Sequence, residues 1–301
     1  MLYAAVDIGS NSIRHIVVDI NDGVLGYVES SSNITRITEG MGLGDSELGK
    51  RGIARSLAVI KDLKQRLDGF DIKVENRMIF ATESLRQATN SHDVINAIER
   101  DFGQSLKILS GKEEACAGFA GARSAFPDIG LLFDLGGGSL EISGETGSFS
   151  FPLGAVRLTN AFGEDYDAAS AAVREKLSGI NFPRGVLAGI GGTSSSIVMM
   201  LDHIPVNQYH PVKINGTPVK TAELEELIRR VKRSGKDKSR ITGLEPARSD
   251  IILAGMTVIK AVLEIAGAEE YIHSECGIMW GLLALSLRQK GLNISRITFN
   301  N

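Results

Sequence analysis

The chain opens on short apolar runs broken by small polar turns. Residues 3–9 (YAAVDIG) and 13–20 (IRHIVVDI) flank a Gly-Ser-Asn-Ser turn, which predicts two strands joined by a tight loop. A third strand is expected near Gly26–Ser32, then an irregular, glycine-rich stretch from Ile34 to Gly44. From Ser46 to Leu67 the apolar residues Ile53, Leu57, Ile60, Leu63 and Leu67 recur at helical spacing, with Gly69 as the stop. Met78–Ala81 and Leu106–Leu109 read as strands, and Ser91–Phe102 as a helix. Another helix is expected from Gly111 to about Ala125, closed off by Pro127-Asp128.

The second part repeats the first. Gly130–Leu135 is an apolar strand, Gly136-Gly137-Gly138-Ser139 a turn, and Leu140–Ser143 a returning strand. Leu187–Ile190 is a further strand that runs into Gly191-Gly192-Thr193 and a serine-led helix. Thr221–Lys232 and Ser249–Ala266 are amphipathic helices, the latter ended by Gly267, and a last helix covers Gly277–Gln289. The strand–DIGSNS–strand unit around Asp7 and the strand–DLGGGS–strand unit around Asp134 are two copies of one hairpin. The expectation is a duplicated α/β fold of two similar domains facing each other, residues 1–124 and 125–301, with the last helix returning toward the first.

The two turns carry the candidate chemistry. Phosphate binding needs several backbone N–H groups converging on one point, and glycine removes the Cβ that would block that approach. Gly9, Ser10, Asn11 and Ser12 in one turn, and Gly136, Gly137, Gly138 and Ser139 in the other, suit this task. Asp7 and Asp134 at the strand ends are candidates to orient a metal ion. Either turn alone is only a hairpin; the duplication is what raises it to a site. Gly192 and Thr193 form a third turn ahead of a helix, where an anion or a plain N-cap fits equally. Glu113 and Glu114 fall in the first turn of a predicted helix, where a capping effect is the simple reading. Yet Gly118 and Gly121 share a face with Glu114, and Gly277 and Gly281 share a face of the last helix. Interior helical glycines cost about 1 kcal/mol each against alanine. Two glycine-faced helices crossing between the halves would place Glu114 at the floor of a cleft. Glu141, just past the second turn, is a candidate base or metal ligand.

Composition narrows the picture. With 301 residues, 43% hydrophobic, the chain can build two cores. A net charge of -3 argues against a general nucleic-acid coat. The basic run Arg229, Arg230, Lys232, Arg233, Lys236, Lys238 and Arg240 reads as a solvated helix end, with a polyanion track as the sharper alternative. Two cysteines, Cys116 and Cys276, indicate no disulfide framework and fit a reducing cytoplasm. No run of apolar residues is long enough for a membrane helix. The five histidines show no metal-ligand spacing.

The ordered set DIGSNSIR (7–14), ATESLRQATN (81–90), LSGKEEA (109–115), DLGGGSLE (134–141), LGAVRLT (153–159), GGTSSSI (191–197) and EPARSDIILAG (245–255) resembles the exopolyphosphatase/guanosine pentaphosphatase (Ppx/GppA) family. The resemblance implies an actin-like fold of the acetate and sugar kinase/Hsp70/actin superfamily, in the short two-domain form. It implies hydrolysis of a terminal phosphate of polyphosphate or pppGpp with Mg²⁺ or another divalent cation. It places the catalytic carboxylate on Glu114, the motif aspartate and glutamate on Asp134 and Glu141, which join Asp7 as the expected metal set, and phosphate contacts on Arg14 and Arg86. A homodimer is a further expectation of the resemblance. Leu140 stands where the family has Thr or Ser, and Met279-Trp280 where it has Arg-Glu. An ATP-dependent kinase of the same superfamily and a non-catalytic phosphate sensor are the competing readings.

Overall fold

The structure, a computed structural model, describes residues 1–39, 41, 47–145, 147–163, 165–180, 185–235 and 237–299. The first part of the chain forms β1 (Leu2–Ile8), β2 (Ser12–Asn21), β3 (Val24–Ile34), α1 (Lys50–Gly69), β4 (Arg77–Ala81), α2 (Glu83–Gln87), α3 (His92–Phe102), β5 (Lys107–Ile108) and α4 (Gly111–Ala125). The second part forms β6 (Ile129–Leu135), β7 (Leu140–Gly144), β8 (Gly147–Phe151), α5 (Ala155–Phe162), α6 (Tyr166–Leu177), β9 (Val186–Ile190), α7 (Gly192–Leu201), α8 (Pro211–Ile214), β10 (Pro218–Lys220), α9 (Thr221–Arg233), α10 (Ile252–Ala266), β11 (Glu270–His273), α11 (Ile278–Gln289) and β12 (Arg296–Thr298).

Two mixed sheets result, with strand orders β12-β3-β2-β1-β4-β5 and β10-β11-β9-β6-β7-β8. Read outward from β1 and from β6, the connections match. Each first strand pairs antiparallel with the next and parallel with a later strand, β4 or β9. This is the duplicated actin-like architecture. The registers match as well: Asp7 lies opposite Arg14, and Asp134 opposite Glu141.

The apolar runs of β1 and β6 are nearly continuous because both faces of each strand are covered. Ala4, Val6 and Ile8 pack with Ile60 and Leu63 of α1 and Ile98 of α3. Tyr3 and Ala5 point the other way, to Trp280, Leu283 and Leu287 of α11. In the second sheet, Leu131, Phe133 and Leu135 join the core of α6, α7, α9 and α10, while Ile129 and Leu132 meet Ala122 of α4. Helices α4 and α11 therefore lie between the sheets. The chain's end also returns to the first sheet, where Arg296–Thr298 pairs with Val24–Gly26.

Several local readings differ. Gly69 is the last residue of α1 rather than its stop, and Phe70 caps it. Ser46 and Gly44 lie outside the described residues. Helix α10 begins at Ile252, because Pro246–Arg248 forms a separate turn of 3-10 helix. Its predicted glycine stop is there, with Gly267 left-handed at φ 63°. The α7 N-cap is Gly191 at φ 104°, not Thr193 or Ser194, which lie inside the helix. Leu140 is fully buried in the second core. Trp280 is a core residue with an edge contact to Phe299 at 5.4 Å.

The glycines of α4 and α11 bring the two helix backbones together. A Cβ on Gly121 would fall on the Gly277 carbonyl oxygen and lie 2.9 Å from the Gly281 nitrogen; one on Gly281 would fall on the Ala117 carbonyl. Backbone cannot yield as a side chain can. Gly121→Ala and Gly281→Ala are each expected to cost about 3 kcal/mol in urea unfolding. Gly118, whose added Cβ would meet side chains rather than backbone, Leu132, Ile190 and Ile278 at 3.3, 3.4 and 3.8 Å, is the contrast. There alanine is expected to shift stability by less than about 1 kcal/mol, its helix propensity offsetting the crowding.

Candidate functional site

The two repeated hairpins end in matching turns. The Gly9 N–H donates to the Ser12 carbonyl at 3.1 Å, and the Gly136 N–H to the Ser139 carbonyl at 3.0 Å. The turns face each other across one cleft of about 640 Å³. They touch: a Cβ on Gly137 would lie 3.0 Å from the Asn11 Cβ. Asp7, Gly9, Ser10, Asn11, Ser12, Arg14, Glu114, Asp134, Gly136, Gly137, Gly138, Ser139, Glu141, Gly192 and Thr193 all line this cleft. Of the residues picked from sequence, Arg86 alone is absent from its lining. Its guanidinium pairs with Glu114 Oε1 at 2.5 Å and donates to the Leu109 carbonyl. Arg86 thus acts on the glutamate, while Arg14 is in the cleft.

The adjacent glutamates at the start of α4 separate cleanly. Ser110 is the N-cap, and Glu113 completes a capping box by accepting from the Ser110 N–H at 2.9 Å. Those bonds, with Lys107 beside them, lower the Glu113 pKa to about 2. Glu114 turns inward instead and is buried. Burial raises its pKa to about 7 against the pull of Arg86, and Asp134 and Asp7 add to the rise.

The other cleft carboxylates feel the same crowding. Burial lifts Asp134 to about 6, opposed by Arg14 and assisted by Asp7. Glu141 is pushed well up by burial, Glu114 and Asp134, although it accepts from Ser150 at 2.7 Å. Arg14 donates to Asp7 Oδ2 at 2.5 Å. Burial would lower its pKa, but Asp7, Asp134 and Glu275 hold it above the usual range. Four carboxylates thus share the cleft with Arg14 and Arg248.

Buried polar groups are ordinarily hydrogen-bonded. Here Asp7 Oδ1 and both polar atoms of the Asn11 side chain are buried without a partner. Unspent oxygen donors beside an excess of carboxylates fit a hard divalent cation. Asp7 and Asp134 are the residues placed to take part. Among the described residues, however, no three His, Cys, Asp or Glu side chains converge into a ready-made cage. The set Asp7, Asp134 and Glu141 therefore does not surround an ion by itself: Arg14 takes Asp7 Oδ2 and Ser150 takes Glu141 Oε1.

Beyond Arg14 the cleft continues into a second cavity of about 670 Å³ bordered by Ser195, Tyr209 and Glu275. Glu275 accepts from Ser195 at 2.9 Å and from Tyr209 at 3.1 Å, and contacts the His273 ring at 3.0 Å. Burial alone would raise its pKa, but these partners outweigh burial and keep it low. Glu275, Arg248, Glu83 and Arg157 were not picked out from sequence as site residues. The last three stand inside the motifs EPARSDIILAG, ATESLRQATN and LGAVRLT, which was the signal available. The basic run on α9 stays outside the cleft; Arg229 and Arg233 both pair with Glu226 at 2.9 Å, and Lys236 lies outside the described residues.

Glu114 and Asp134 bind protons more tightly in the folded chain than in the unfolded one, whose carboxylates titrate near pH 4. The stability they contribute is complete below about pH 4 and is lost as pH rises through about 6 and 7. Urea unfolding of the metal-free protein is expected to show stability falling across that window. Glu114→Gln should flatten the upper part of the fall, and added divalent cation should oppose it by binding the folded state. A wild-type profile that is flat from pH 5 to 8 would contradict this electrostatic picture.

The family model described as "Ppx/GppA phosphatase family" matches residues 16–290. The chain is 26% identical to a bifunctional 3-dehydroquinate synthase/phosphatase of Fusobacterium nucleatum, over 96% of this chain and 47% of that protein. It is 28% identical to a guanosine-5'-triphosphate,3'-diphosphate pyrophosphatase of Aeromonas hydrophila, over 94% of this chain and 59% of that protein. It therefore spans about half the length of these two relatives. It is 29% identical to exopolyphosphatase 2 of Mycobacterium tuberculosis, over 94% of this chain and 98% of that protein. The solved Ppx-GppA enzyme of Aquifex aeolicus superposes with a TM-score of 0.77 at 26% identity, covering 95% of this chain and 99% of that one. With a match running from the second strand of the first hairpin to the end of α11, the chain belongs to the Ppx/GppA phosphatase family.

Proposed function

We propose that the chain is a phosphohydrolase that releases the terminal phosphate of inorganic polyphosphate or of a guanosine polyphosphate such as pppGpp. The observation that carries this reading is the pair of facing glycine-serine turns, with the carboxyl of Glu114 buried in the same cleft. Relatives named for exopolyphosphatase and guanosine-5'-triphosphate,3'-diphosphate pyrophosphatase activities support the substrate class.

In this reading the turn N–H groups, Ser10, Ser12 and Ser139 hold the phosphate chain, and Arg14 neutralises part of its charge. The unpaired Asn11 side chain is a further contact. Glu114 orients a water and takes its proton as the oxygen attacks the terminal phosphorus. The bridging oxygen leaves with the shortened chain. A base near pH 7 is suited to that transfer. Arg86 aims the Glu114 carboxylate. A Mg²⁺ ion held through Asp7 and Asp134, with substrate oxygens and water completing its shell, would supply charge neutralisation at the phosphates. Glu141, held by Ser150, is placed to hold a water of that shell. Residues 1–124 and 125–301 are proposed as the two domains that close on the substrate. The free Cys116 and Cys276 suit a cytoplasmic location.

Phosphate release is measured with Mg²⁺ from long-chain polyphosphate, pppGpp and ATP, for wild type and Glu114→Gln. Wild type is expected to release phosphate from one of the first two, with a loss of about 10²- to 10⁴-fold in the variant. Binding without release by both proteins would sink the hydrolase reading in favour of a sensor.

A further inference from the structure

We propose that Glu83 and Arg157 are a positioning pair that holds the two phosphate turns in register, a role that rests on the hydrolase reading only for its effect on turnover. Glu83 begins α2, at the end of the first sheet's β4, and is 3% exposed. Arg157 lies on α5, which follows the second sheet's edge strand β8. The two form an ion pair across the cleft. Each also holds a turn. Ser10 Oγ of the first turn donates to Glu83 Oε2 at 3.3 Å. Arg157 Nε donates to the Gly138 carbonyl of the second turn at 3.0 Å, and its Nη2 donates to Gln87 at 3.1 Å. The fit leaves no room for a side chain between them, since a Cβ on Gly138 would fall on Glu83 Oε2. A carboxylate this near an anion site is tolerable only with its charge answered, and Arg157 answers it.

A second ion pair across the cleft serves as the control. Arg36 meets Asp250 at 2.6 Å, with side chains 26% and 48% exposed, and its guanidinium donates to Asp250 and the Ala247 carbonyl rather than to either turn. Its backbone N–H does donate to the Asn11 carbonyl at 2.9 Å, a bond that a change at Asp250 leaves in place. If linking the halves were enough, the two pairs would be equivalent. If the turns are what must be held, only the Glu83–Arg157 pair affects them.

Glu83→Gln, Arg157→Met and the double variant are compared with Asp250→Asn by amide hydrogen exchange of the segments 9–12 and 136–139 and by steady-state kinetics. Exchange in both turns is expected to speed up in each single variant and to stay unchanged in Asp250→Asn. On whichever phosphate substrate wild type turns over, kcat is expected to fall on the order of 10- to 100-fold with a smaller change in KM. The double variant is expected to be no worse than the worse single one, the mark of one coupled pair. Asp250→Asn is expected to cost less than about fivefold. Arg157→Lys, which keeps the charge without the fork that reaches both Glu83 and Gly138, replaces Arg157→Met if the latter does not fold. Unchanged turn exchange, or losses that multiply in the double variant, would overturn the proposal. Faster turn exchange in the variants, with a wild type that hydrolyses nothing, would leave the positioning pair standing and remove the hydrolase reading instead.

Discussion

Four buried carboxylates in one cleft are the constraint that organises this molecule. Asp7, Asp134, Glu114 and Glu141 are buried together, and for Asp134, Glu114 and Glu141 burial and mutual repulsion both oppose ionisation. A chain selected only for stability would have no reason to gather them. Arg14 and Arg86 answer two of the four through direct ion pairs. The remaining charge is a demand on whatever binds there. Under the proposed function, a divalent cation would have to accompany a phosphate chain into the cleft, since a polyanion could not meet that demand unaided.

The fold pays for this arrangement with rigidity elsewhere. Helices α4 and α11 meet backbone to backbone through Gly121 and Gly281, and each is anchored in a different sheet's core. That contact fixes the start of α4 relative to both hairpins, and with it the position of Glu114. The neighbouring Glu113 serves the helix end while Glu114 serves the cleft. Two identical side chains, one residue apart, are driven in opposite directions: the Ser110 cap and Lys107 lower Glu113, while burial raises Glu114.

Duplication explains both the symmetry of the site and its asymmetry. The hairpins share strand order, turn hydrogen bond and register. At the position opposite the repeated aspartate, however, the first copy carries Arg14 and the second Glu141. One hairpin thereby sets a cation beside its aspartate and the other a second carboxylate. Two positions read from sequence as departures from the family pattern are core residues: Leu140 packs in the second core, matching Ile13 of the first hairpin, and Trp280 packs under β1.

Sequence by itself determined the repeated hairpins, the residues of the turns, the helix start that carries Glu114 and the glycine-faced helices, because each is encoded in local spacing: short continuous apolar runs, glycine where backbone must be bare, i and i+4 on one helical face. It missed the edge strands β8, β10 and β12, the interior strand β11 and the helices α2, α5, α6 and α8, whose patterns acquire meaning only against a neighbour already in place. It expected Arg86 at phosphate and could not show that its guanidinium pairs with Glu114, because an arginine in a motif does not reveal its partner 28 residues away. It could not see that Glu83 and Arg157 meet across the cleft, or that Glu275 borders its far end, since their partners lie 74 residues away in one case and 80 and 66 in the other. Local composition decides which backbone can form a turn; only the packing of two sheets against a shared pair of helices decides which charges face each other inside it.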